Sequence, residues 1–126
     1  MNKDMRILLV DDSSTMRSII KNILKQLGFR NVHDADDGST AWEKVQKESF
    51  DLIISDWNMP KMKGIDLLKQ VRSHPGLKDM PFLMVTAEGL QENIVEAAKA
   101  QVSNYIVKPF TPEVLLQKLN AIFAKK

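Results

Sequence analysis

Four times along this 126-residue chain a short and uniformly apolar run, and once a weaker run, gives way to a stretch whose apolar residues fall three and four apart. Ile7 to Val10 is followed by Met16, Ile19, Ile20, Ile23, Leu24 and Leu27, with Ser13 or Ser14 placed to cap a helix and Gly28 to stop it. Val32 opens a weaker second run, Asp37-Gly38 reads as a turn, and Ala41, Trp42 and Val45 form the next stripe. Leu52 to Ile54, a loop from Pro60 to Gly64, and the stripe Ile65, Leu68 and Val71 repeat the unit. Phe82 to Val85 precedes a weakly amphipathic, alanine-rich helix from Gln91 to Ala100. Tyr105 to Val107 precedes a helix that starts at Pro112 and carries Leu115, Leu119 and Ile122. Strands this apolar are covered on both faces, so the alternation predicts an α/β fold: a five-stranded parallel sheet, doubly wound, with right-handed crossovers placing helices on both sides.

The length suits one domain, residues 1–126, and no repeat, linker or low-complexity tract argues for a second. Cysteine is absent, which excludes disulfides and thiolate metal sites. No segment reads as a secretory signal, and none approaches the roughly 20 apolar residues that span a bilayer, so a soluble cytoplasmic monomer without membrane insertion is expected. Lys plus Arg total 18 against 16 Asp plus Glu, a net charge of +2 spread without a basic stripe, so nucleic-acid binding is not expected.

In parallel sheets of this kind ligands bind beyond the carboxyl ends of the strands. The chain places Asp11 and Asp12 after the first run, Asp56 after the third, Thr86 after the fourth and Lys108 after the fifth. Alone, each has an ordinary explanation as a cap, a turn residue or a solvated side chain; together they form a site. Carboxylates 4 to 5 Å apart repel by about 3 to 4 kcal/mol at an effective dielectric near 20, which a proton or a divalent cation would relieve. Magnesium suits best, because it accepts one or two carboxylates, keeps several waters and shares a phosphoryl oxygen. Asp56, at the end of a central strand, is the expected nucleophile, with Asp11 and Asp12 at the metal and Lys108 and Thr86 on the phosphoryl oxygens. Pro109 raises the expectation of a cis bond after Lys108. His33 and His74 have no partner at metal-ligand spacing and read as surface or structural residues.

Asp11-Asp12, Ser55-Asp56-Trp57-Asn58-Met59-Pro60, Val85-Thr86-Ala87-Glu88 and Val107-Lys108-Pro109-Phe110 resemble the receiver domains of two-component response regulators over essentially the whole chain. Ser14-Thr15-Met16-Arg17, Glu92-Asn93-Ile94 and Tyr105 bring it nearest to the family's single-domain chemotaxis members, which have no output domain. The resemblance implies a flavodoxin-like sheet of order 2-1-3-4-5 and a phosphoryl group accepted on Asp56 from a sensor histidine kinase. It implies Mg2+ held by Asp12, Asp56 and the Asn58 carbonyl, and by Asp11 through water. Thr86 and Tyr105 would act as switch residues that remodel the face of the fourth helix, fifth strand and fifth helix, to which the flagellar motor switch protein binds. Asn58 and Glu88 are expected to tune the lifetime of the signal, and an auxiliary phosphatase is a possible further partner. The chain would then be a phospho-accepting protein, not an enzyme with a separate substrate.

Four departures from the family pattern stand out. Lys63 replaces a usual acid, Gln101 stands where a glycine usually ends the fourth helix, and Leu90 and Gln91 replace basic residues. Lys63 is expected to loosen its loop or change the local charge, and Gln101 to fray the helix end if it must adopt positive φ. The alternatives are a stand-alone receiver in a phosphorelay outside chemotaxis and, from another class, a Mg2+-dependent phosphohydrolase.

Overall fold

A computed structural model describes residues 1–87 and 91–124. The elements run β1(Arg6–Val10), α1(Ser14–Gln26), β2(Asn31–Ala35), α2(Gly38–Lys47), β3(Leu52–Asp56), α3(Gly64–Ser73), β4(Phe82–Ala87), α4(Gln91–Lys99), β5(Asn104–Lys108) and α5(Pro112–Phe123). All strand pairs are parallel and the sheet order is β2-β1-β3-β4-β5, as the family resemblance implied. Among the described residues no helix is long and apolar enough to cross a membrane.

Alternation along the strands divides the core in two. Ile7, Leu9, Leu52, Ile54, Leu83, Val85 and Ile106 pack with Ile20 and Leu24 of α1 and Leu115 and Leu119 of α5. Leu8, Val10, Ile53, Phe82 and Met84 face the other way, onto Ala41 and Val45 of α2, Ile65, Leu68 and Val71 of α3, and Ala97 of α4. Ile19 corrects the sequence reading of α1. It is 47 % exposed, because Ile20 and Leu24 already define the inward line and Ile19 lies off it. Trp42 is half-buried at the edge of its cluster.

The helix ends follow local chemistry. Ser13 caps α1 by accepting the Met16 N–H, Asp37 caps α2 by accepting that of Thr40, and Thr111 caps α5 by accepting that of Val114. Gly28, at φ 98°, ends α1 as expected, with Phe29 N–H donating to Leu24 O and Gly28 N–H to Lys25 O. The same paired bonds close α4, from Val102 N–H to Ala97 O and from Gln101 N–H to Ala98 O, with Gln101 at φ 65°. The expected positive φ is therefore present, but the end is closed, and the Arg72 guanidinium also donates to Gln101 O at 2.9 Å. Lys63 stands at the N-cap of α3 and offers no side-chain cap bond.

Candidate phosphoacceptor site

The parallel register brings the strand ends together. β3 pairs with β4 through Asp56 and Val85, and β4 with β5 through Thr86 and Val107, while Asp11 directly follows β1. Asp11, Asp12 and Asp56 each offer a carboxylate oxygen within 4.8 Å of the others. Asp11 and Asp56 are buried and Asp12 is exposed, so the cluster forms a cup with one open wall. Lys108 closes the opposite side, its Nζ 3.0 Å from Asp56 Oδ1, and Lys108-Pro109 is cis. Thr86 lies inside β4, one residue before its end, so its position is fixed by the ladder.

Asp11 is held from two directions. Its Oδ1 accepts the Ser13 N–H at 2.8 Å, and its backbone carbonyl accepts from Arg17 Nη1 at 2.6 Å, while Arg17 Nε donates to Asp34. Its Oδ2 is buried with no hydrogen-bond partner. Burial pushes the Asp11 carboxyl above its ordinary value, and the Asp56 and Asp12 carboxylates add to this, against the Ser13 bond and Lys108. A buried, unpartnered oxygen beside two further carboxylates is a donor set that fits a hard divalent cation.

The Thr86 hydroxyl donates to Ala87 O at 3.2 Å, and Ser55 Oγ to Asp56 O at 3.0 Å. Tyr105 pairs with Met84, two residues behind Thr86 on the same face of the sheet, and Lys118 Nζ lies 4.8 Å from the centre of its ring. Asn58 is exposed at the start of the loop after β3. Glu88 and Leu90, and the side chain of Gln91, lie outside the described residues. His33 and His74 stay apart from the cup, each edge-on to an aromatic ring, Phe50 and Trp42 respectively. The grip of Arg17 on the Asp11 carbonyl was not read from sequence; its signal is an Arg in the first turn of the helix that follows the acid pair.

The family model of the response regulator receiver domain matches residues 7–120. The chain is 55% identical over 125 residues to chemotaxis protein CheY-3 of Vibrio cholerae, covering 99% of this chain and 96% of the relative. It is 54% identical over 121 residues to chemotaxis protein CheY of Pseudomonas aeruginosa, covering 96% and 98%. Among solved structures, chemotaxis response regulator CheY4 of Vibrio cholerae superposes with a TM-score of 0.86 at 39% identity, covering 94% of this chain and 98% of that one. The receiver domain of a sensor histidine kinase from Pseudomonas aeruginosa, solved with a magnesium ion coordinated in its active site cleft, gives 0.87 at 26% identity, covering 97% and 99%. With the family model spanning most of the sequence and relatives above half identity along nearly its full length, the chain belongs to the response regulator receiver domain family.

Proposed function

We propose that the chain is a stand-alone response regulator of bacterial chemotaxis, working in the cytoplasm, that accepts a phosphoryl group on Asp56 from a sensor histidine kinase. The observation that carries this reading is the contact of Lys108 Nζ with Asp56 Oδ1 at 3.0 Å, on the rim of a three-carboxylate cup. An Asp56 carboxylate oxygen attacks the phosphorus of a phosphohistidine. The new P–O bond forms as the P–N bond breaks, and its electron pair returns to the imidazole. Lys108 offsets the charge on the phosphoryl oxygens. Magnesium, held by Asp12, Asp56 and the Asn58 carbonyl and by Asp11 through water, would neutralise the remaining charge. The Thr86 hydroxyl leaves the Ala87 carbonyl for a phosphoryl oxygen, and Tyr105 turns inward behind it. The surface of α4, β5 and α5 then changes and binds the flagellar motor switch protein. The names of the relatives support chemotaxis, and their near-complete coverage supports a single receiver domain.

The chain catalyses its own phosphorylation and dephosphorylation and has no separate substrate; Asn58 and Glu88 set the lifetime of the acyl phosphate, with an auxiliary phosphatase acting on the same bond. Trp57, buried beside Asp56, supplies the test. Its emission is expected to change on addition of Mg2+ and again with acetyl phosphate, and Asp56→Asn should abolish the second change while weakening the first, because it also removes a metal-binding carboxylate. A stoichiometric, acid-labile phosphate on the Asp56→Asn protein would overturn the assignment.

A further inference from the structure

The loop that follows Asp56 is pinned at a point the sequence did not announce. Gly64 N–H donates to Trp57 O at 2.9 Å, which closes residues 57–64 into a loop, and Asn58 is the first residue inside it. Met62 N–H donates to Pro60 O at 2.7 Å across Lys61, whose φ is 66°; that is a γ-turn, strained for any residue with a Cβ. Such strain persists only where the surroundings fix the backbone. Here the surroundings are the β2–α2 turn. A Cβ on Gly38 would lie 2.4 Å from Met62 O and 2.7 Å from Met62 Cβ, so the bare Gly38 backbone is the seat on which Met62 rests. Lys61 Nζ reaches back over the same turn to within 3.8 Å of Asp37 Oδ2, a pair exposed on its lysine side that guides the loop more than it holds it.

We propose that the β2–α2 turn is a positioning element of the phosphoacceptor site, in which Gly38 seats Met62 and so holds the 57–64 loop where the Asn58 carbonyl can serve the metal. The inference rests on the proposed metal reading and adds a residue outside the acidic cup. Helix propensity gives the opposite expectation. Gly38 opens α2, where alanine is the better helix former, so a purely local role would leave the site untouched or stabilise the helix.

The test uses two substitutions that leave every charge in place, since charge alone would alter cation affinity. Mg2+ is titrated against Trp57 emission, and amide exchange of Met62 and Gly64 is followed in EDTA. Gly38→Ala is expected to weaken Mg2+ about tenfold and to speed exchange at both amides. Met62→Gly, which removes the Cβ and Cγ that rest on Gly38, is expected to weaken Mg2+ about threefold, and it carries the test should Gly38→Ala fail to fold. Wild-type Mg2+ affinity in every folded variant would overturn the seat while leaving the metal site standing. No Mg2+ response in the unsubstituted chain would remove the metal reading and the seat with it.

Discussion

At the scale of the residue, two charged side chains occupy helix N-termini with opposite results. Asp37 accepts the Thr40 N–H at 2.8 Å, and that bond first, with Lys61 beside it, holds its carboxyl below the ordinary carboxylate value. A carboxyl depressed in the fold adds stability above its unfolded value of 3.8 and loses it as pH falls through the lower folded value. Asp37→Asn keeps a good cap but discards the charge. In urea unfolding it is expected to be less stable than the parent at pH 7, with the gap closing as pH drops below 3.8; a gap that persists in acid would refute the ionic origin. Lys63 is the reverse case. It stands in cap geometry at φ -70° and ψ 160° with no side-chain bond to the helix, and it puts a cation-bearing residue at the N-terminus of α3, where the dipole favours an anion. Lys63→Ser is expected to add about 1 kcal/mol and raise the melting temperature by about 4 °C; an unchanged melt would mean that water already satisfies those N–H groups.

Between elements, one many-partnered tie was invisible in the chain's apolar pattern. Arg72, in the last turn of α3, donates to Lys78 O at 3.0 Å, Met80 O at 2.7 Å and Gln101 O at 2.9 Å, and lies 3.5 Å from Ser103 Oγ. Ser103 in turn accepts the Phe82 N–H at 2.9 Å. One planar group thus joins the α3–β4 loop, the start of β4 and the closed end of α4, and burial draws its pKa down from the ordinary value. The sequence carries no signal of this role for Arg72, because its three carbonyl partners are backbone atoms as far as 29 positions away. The strands and helices were legible because their apolar spacing is local, and Asp56 and Lys108 because they end such runs. The γ-turn at Lys61 was not, since lysine has no preference for positive φ and only the packing on Gly38 explains it. Arg72→Ala is expected to cost about 2 kcal/mol in urea unfolding, with Arg72→Lys recovering less than half, because an ammonium cannot span carbonyls set in different directions. Equal recovery by lysine would show that charge, not the fork, makes the tie.

For the molecule as a whole, the sheet converts four separate strand ends into one electrostatic compromise. The β2-β1-β3-β4-β5 order sets β1 and β4 on either side of β3, so Asp11 and Asp56 meet from adjoining strands while Lys108 reaches in from the edge strand β5. Folding therefore confines three carboxylates beside the Lys108 ammonium, with the Asp11 Oδ2 buried and unpartnered. Crowding carboxylates around a buried, unpartnered oxygen is expected to lower the stability of the fold when no cation is bound. Asp11→Asn removes the buried charge, and its amide oxygen can still accept the Ser13 N–H. In EDTA at pH 7 it is expected to raise stability by about 1 kcal/mol. A cation that binds only the folded form stabilises by mass action, about 2.7 kcal/mol at a concentration one hundred times its Kd. Saturating Mg2+ should therefore raise the urea midpoint of the parent chain more than that of Asp11→Asn, narrowing or reversing the order seen in EDTA. If Asp11→Asn is instead the weaker protein in EDTA, the acidic cup is not a source of strain, and the case for a cation as its relief fails with it.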